Sequence, residues 1–227
     1  MPDHVIPAVK VHEIPVEGGG MFPVRRVYCI GRNYAAHAME MGHDPNREPP
    51  FFFQKNPDNL DPSGEFPYPA HSSDVHHEAE MYVALKSGGT KISVEDALVH
   101  VYGYGLSLDM TRRDLQGEMK KMGRPWEIGK AFERSAPCGP VHKAEDVGPL
   151  DQGAIRLTVN GEIRQEGDLN QMIWKVPEMI SYLSDYFELA AGDVILSGTP
   201  SGVGPVNRGD MMVLSVDKLG SLIVNVT

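Results

Sequence analysis

Cysteine is scarce: Cys29 and Cys138 are the only two in 227 residues. Two thiols cannot build the disulfide framework of a small secreted domain, which points to a reducing cytoplasm. Long apolar runs are absent as well. No segment approaches the roughly 20 residues that cross a bilayer. The opening MPDHVIPAVKVHEIPVEGGG has neither the basic start nor the apolar block of a signal peptide. These absences predict a soluble, cytoplasmic chain without a membrane partner. Basic runs are missing too: 21 Lys and Arg stand against 31 Asp and Glu, a formal net charge of −10. Nucleic acid is therefore not the expected partner. No repeat, low-complexity tract or linker divides the chain, so one domain over residues 1–227 is expected, opening with short strands in residues 1–23.

Glycine and proline are plentiful, 24 and 18 residues, and hydrophobic residues make up 41%. That composition favours a turn-rich, strand-rich α+β fold over a helical bundle. In RNYAAHAMEMG, Asn33 is the predicted N-cap and Gly42 the stop of a short helix; a polar loop, HDPNREPP, follows. SVEDALVH reads as a helix capped by Ser93 with Asp96 three residues on, and TRRDLQGEMKKMG as a helix capped by Thr111 and ended by Gly123. IRLTVNGEIRQEG carries the clearest local signal, alternating apolar residues running into Asn160-Gly161, a type I′ hairpin turn. VPEMISYLSDYFEL is a helix with Pro177 in its first turn, DVILSGTPSGVG a buried strand entering a glycine-rich loop, and MMVLSVDKLGSLIVNVT a closing hairpin.

HHEAEMYVAL poses a chemical problem. On a strand Glu78, Glu80, Tyr82 and Ala84 share one face, and Ala79, Met81, Val83 and Leu85 the other. Two buried carboxylates on one face repel unless a positive charge sits between them. An exposed charged edge is the bland alternative. The neighbours AHSSDVHH and MYVAL do not resemble an open charged surface. In VYGYGLSLD, Asp109 ends a strand face made of Val101, Gly103, Gly105 and Ser107, where glycine implies close approach of a backbone or ligand. Glu78, Glu80 and Asp109 could form one side of an octahedral oxygen site for Mg2+ or Mn2+, with Ca2+ a possible occupant. His76 and His77 are the rival ligands, without the spacing of a zinc motif. His37 and Glu40 share a helix face; on spacing alone they are a surface pair, and functionally a base with its orienting carboxylate. Lys130 reads as an ordinary solvated lysine. SGTPSGVG is either a set of tight turns or a backbone and hydroxyl site for an oxyanion, with Thr199 contributing. Trp126, Tyr104 and Phe51–Phe53 read as core.

Taken in order, GRNYAAHAMEMG, HHEAEMYVAL, GYGLSLDMTRRDLQ, RPWEIGKAF and LSGTPSGVG resemble the fumarylacetoacetate hydrolase superfamily over residues 24–217. The compact length and the GRNYAAH start resemble its acylpyruvase and fumarylpyruvate hydrolase branch. The resemblance implies a mixed β roll with flanking helices, a homodimer, and a small keto-acid substrate. It implies that Glu78, Glu80 and Asp109 bind Mg2+ or Mn2+. It also implies that His37 and Glu40 activate water, that Lys130 polarises a carbonyl or holds an oxyanion, and that Lys55, Arg113, Gln116 and Thr199 contact substrate. Glu133 stands where the family often carries Asp after GKxF, and residues 43–50 follow no family pattern.

The chemistry so implied is hydrolytic cleavage of a carbon–carbon bond in an acylpyruvate such as fumarylpyruvate, giving pyruvate and a carboxylic acid. Related metal-enolate chemistry without the attacking water gives an oxaloacetate decarboxylase or a hydroxymuconate-type isomerase or tautomerase. A metal-stabilised protein without catalysis is the alternative from another class.

Overall fold

The computed structural model describes residues 4–35 and 49–227. The predicted helix bearing His37 and Glu40 and most of the loop after it lie outside the described residues. The frame is a six-stranded sheet whose spatial order is His142–Lys143, Val101–Leu108, Ala79–Leu85, Asp193–Leu196, Arg26–Gly31 and Phe51–Lys55. All its pairings are antiparallel except that of Asp193–Leu196 with Arg26–Gly31. A five-stranded sheet packs over it, ordered Glu162–Asp168, Ala154–Val159, Met211–Val216, Gly220–Val226 and Glu65–Phe66. The helices Arg113–Met122 and Val176–Tyr186 flank these sheets. The expected β-rich α+β roll is what the chain forms.

Alternation explains why the central strand is apolar throughout. Met81, Val83 and Leu85 face one core, shared with Ile155, Leu157, Leu214 and the helix residues Met179, Ile180 and Leu183. Tyr82 and Ala84 face a second core, shared with Val27, Cys29, Val194 and Leu196. Both cysteines are buried and free. The N-terminal hairpin, His12–Pro15 with Met21–Val24, lies on that second core. At the Asn160-Gly161 turn both residues have positive φ, 53° and 82°, as a type I′ turn requires. Gly103 and Gly105 do mark close approach, but not of a ligand. A Cβ on Gly103 would stand 2.1 Å from the His142 carbonyl oxygen, and one on Gly105 2.2 Å from the Tyr82 ring.

Two predicted helix starts are corrected. SVEDALVH gives only a 3-10 turn, Ala97–His100. Ser93 and Asp96 do bond each other, but the chain must enter the sheet at Val101, leaving room for a single turn. The helix Arg113–Met122 begins two residues after Thr111, because the Thr111 hydroxyl turns inward to the Asp109 carbonyl at 3.1 Å. Asp114 instead accepts from Leu115 N–H and Ser73 N–H. The stop at Gly123 holds, in the left-handed conformation. Among the described residues no helix is long and apolar enough to cross a membrane.

Candidate active site

The strand carrying the two glutamates is interrupted between them. Val75–His77 and Ala79–Leu85 are separate strands, and at Glu78 the backbone carbonyl accepts from the Asp109 N–H at 2.8 Å. This break, rather than a continuous face, brings the Glu78 carboxylate to Glu80 and to Asp109 at the end of Val101–Leu108. Ligand oxygens of the three lie within 4.8 Å of one another, and all three residues are buried. Burial and the charges of Asp109 and Glu78 push the Glu80 carboxyl well above the usual carboxylate range. That is the expected response of like charges held together.

Three cations answer the three carboxylates. Lys130, 2% exposed, donates to Glu78 Oε2 at 2.9 Å and Asp109 Oδ2 at 2.8 Å. Burial pulls its ammonium downward, but Asp109 and Glu78 outweigh that and hold it above the ordinary lysine value. Lys55 Nζ stands 2.9 Å from Asp109 Oδ1, and is fixed by the Ser135 hydroxyl at 2.9 Å and the Lys130 carbonyl. Arg113 pairs with Glu78 Oε1 and donates to Gln116 Oε1 at 2.7 Å. The helix Arg113–Met122 is pressed onto the short helix Glu127–Lys130 at Gly129, where a Cβ would come within 2.9 Å of Gln116. That contact aligns Arg113, Gln116 and Lys130 on one site.

The donor set is all oxygen, compact and charge-balanced, which fits a hard divalent cation better than zinc. The rival ligands His76 and His77 are bonded elsewhere. His77 Nδ1 bonds Gln165 Oε1 at 2.9 Å, His76 Nε2 bonds Asp74 at 2.9 Å, and burial lowers the His77 pKa to about 4. A divalent ion added to the balanced cluster leaves two positive charges in excess, suited to a ligand bearing a carboxylate and an enolate.

The carboxylates floor a cavity whose wall includes Gly31, Arg113, Gln116, Lys130 and Thr199. Of the predicted site residues, Lys55 lies behind Asp109, enclosed by its partners, and His37 and Glu40 are outside the described residues. The aromatic expectation is corrected in part. Tyr104 is core, but Phe51, Phe53 and Trp126 line the cavity, with Phe51 and Trp126 4.9 Å apart in edge-on contact. Strand alternation turns Phe52 alone to the opposite side, against Tyr182, Tyr186 and Phe187. The glycine-rich loop binds an anion of the chain's own: Gly198 N–H donates to Glu80 Oε2 at 2.8 Å.

Gln165 was not legible in the sequence. It is the buried member of the otherwise mostly exposed strand Glu162–Asp168. Its Oε1 accepts from Ala79 N–H at 3.0 Å and from His77, while Nε2 donates to the Pro200 carbonyl and to Thr199 Oγ1, both at 2.8 Å. The backbone partners fix the amide's orientation, since Ala79 N–H can only donate and the Pro200 carbonyl only accept. Thr199 Oγ1 therefore accepts from Gln165, leaving its proton for the cavity. The same amide ties the residue between the two glutamates to the loop that holds Glu80. No periodicity announces a glutamine of this kind.

The site and fold together set three buried carboxylates, which could hold a divalent cation, beneath an aromatic-walled cavity. The family model for the fumarylacetoacetate (FAA) hydrolase C-terminal region matches residues 26–227, and the chain belongs to that family. A fumarylpyruvate hydrolase from Pseudomonas aeruginosa, solved in complex with Mn2+ and pyruvate, superposes with a TM-score of 0.97 and 52% identity, covering 99% of each chain. An oxaloacetate tautomerase of Escherichia coli is 41% identical over 197 residues, 86% of this chain and 90% of that protein. A mitochondrial oxaloacetate decarboxylase of Dictyostelium discoideum is 39% identical over 197 residues, with the same coverage.

Proposed function

We propose that the protein hydrolyses the carbon–carbon bond of an acylpyruvate, releasing pyruvate and a carboxylic acid. The carrying observation is the charge-balanced cluster of Glu78, Glu80 and Asp109 with Lys130, Lys55 and Arg113, set against the cavity wall of Gln116 and Thr199. Likeness over nearly the whole chain to a fumarylpyruvate hydrolase solved with Mn2+ and pyruvate supports it.

In this scheme Glu78, Glu80 and Asp109 hold Mg2+ or Mn2+. When bound, the ion supplies Lewis-acid stabilisation to the oxygens of the 2-keto acid. Arg113, Gln116 and the Thr199 hydroxyl orient the keto-acid end. His37, supported by Glu40, takes a proton from water, and the water oxygen attacks the distal acyl carbonyl. Lys130 donates to the oxyanion that develops there. Collapse of the adduct breaks the bond to the pyruvate methylene; its electron pair delocalises as the pyruvate enolate, which takes up a proton to give pyruvate.

A second scheme has a specific support. Curated relatives are an oxaloacetate tautomerase and an oxaloacetate decarboxylase, reactions that share the enolate and need no attacking water. Product analysis with fumarylpyruvate, acetylpyruvate and oxaloacetate, on wild type and His37→Ala with Mg2+ or EDTA, separates the two. Hydrolysis predicts metal-dependent release of pyruvate from an acylpyruvate that falls by two orders of magnitude or more in His37→Ala, as for loss of a general base. Conversion of oxaloacetate alone, undiminished in His37→Ala, would replace the hydrolase with the enolate scheme.

A further inference from the structure

Two cations on the cavity wall have no role in the chemistry above. Arg32 follows Gly31 with a positive φ of 58°, a conformation that costs a non-glycine residue energy. Its guanidinium lies 5.6 Å from the Phe51 ring centre. The Lys120 ammonium lies 5.8 Å from the Trp126 ring centre. Because Phe51 and Trp126 are in contact, the two cations flank one aromatic pair, and both line the cavity. Among the described residues neither side chain has a carboxylate partner. Burial, Arg32 and Arg113 together hold the Lys120 ammonium below its ordinary value. Among the described residues nothing balances this positive charge.

Its position is set by two elements that also reach the carboxylates. On the helix Arg113–Met122, Arg113 touches Glu78 while Lys120 stands seven residues on, near the same face and about 10 Å further along the axis. On the strand Phe51–Lys55, Lys55 touches Asp109 while Phe51 is at the opposite end, about 13 Å away. The cavity is thus polarised, with carboxylates at its floor, aromatic rings between and cations at its far end.

We propose that Arg32 and Lys120 form a second anion subsite that takes a terminal carboxylate on the acyl half of the substrate. The inference rests on the acylpyruvate reading and narrows it to acyl groups that end in an acid. Phe51 and Trp126 offer ring faces and edges to the unsaturated or aliphatic segment between the two ends. Specificity of this kind arises because a ligand lacking the second carboxylate leaves two cations uncompensated.

The test uses two non-cleavable ligands of equal chain length, 2-oxoheptanedioate and 2-oxoheptanoate, titrated calorimetrically into the Mn2+-loaded protein. Wild type should bind the dioate about tenfold tighter or more, and added salt should shrink the difference. Arg32→Met and Lys120→Met should each reduce the preference and together abolish it, with affinity for the monoacid within about twofold of wild type. The monoacid also reports that the variants are folded. Equal affinities in wild type, or a preference that survives both substitutions, overturns the subsite. Neither result depends on cleavage, so failure of hydrolysis appears separately, in the turnover of acylpyruvates.

Discussion

Lys130 is the residue on which the ion-free cluster turns. Its ammonium bridges Glu78 and Asp109 from a fully buried position, and removing one partner of such a pair costs about 3–5 kcal/mol. Lys130→Met should therefore lower the melting temperature markedly in EDTA and less in Mn2+, since a bound cation restores positive charge between the carboxylates. An equal drop in both conditions would show that Lys130 and the ion do not share those charges. Gln165 acts one contact further out. Gln165→Glu replaces its donor by an acceptor, so the Thr199 hydroxyl should turn toward it and away from the cavity. The KM for the keto acid should rise about tenfold, the size of a lost charge-assisted hydrogen bond. In a Thr199→Val background the same substitution should add little. Additive effects in that double-mutant cycle would remove the coupling. The buried carboxylate cluster was legible because acid on a buried strand demands an explanation; Gln165, Arg32 and Lys120 were not, since a glutamine, arginine or lysine among polar neighbours looks like surface. Lys130, a solvated lysine by composition, is buried only because Gly129 lets its helix close against Gln116.

Among the elements, the hairpins and the helix with Pro177 followed directly from local turn and capping chemistry. The two corrected helix starts failed where tertiary demands override capping: Thr111 is drawn inward to Asp109, and Ser93 caps a segment too short to become a helix. The break at Glu78 was invisible for the same reason, because it is imposed by the N–H of Asp109, 31 residues further along the chain. Gly105 gives an element-scale test. A methyl group there would meet the Tyr82 ring, which is itself anchored by its hydroxyl to the Gly139 carbonyl at 2.9 Å. Gly105→Ala should destabilise the fold by about 1–3 kcal/mol in chemical denaturation. No loss would mean that the central strands can part to admit a side chain.

At the scale of the whole molecule, an excess of acid with no basic run agrees with a small-molecule enzyme, and part of that acid is the buried cluster. We propose that the chain acts as a homodimer on a small keto acid in the cytoplasm, without nucleic-acid or membrane partners. The exposed Val5, Ile6 and Val9, 100%, 68% and 91% accessible, are available for a second copy to cover. Light scattering should give twice the 25.0 kDa chain mass; a monomer at the working concentration of the enzyme contradicts the dimer. The most direct test of the central claim is Mn2+ titration into chelated protein, following ion binding by calorimetry and fumarylpyruvate cleavage in parallel. Cleavage should rise in step with occupancy of a single ion, and Asp109→Asn should abolish both. Full cleavage by the chelated protein, or ion binding that leaves fumarylpyruvate intact, would contradict it.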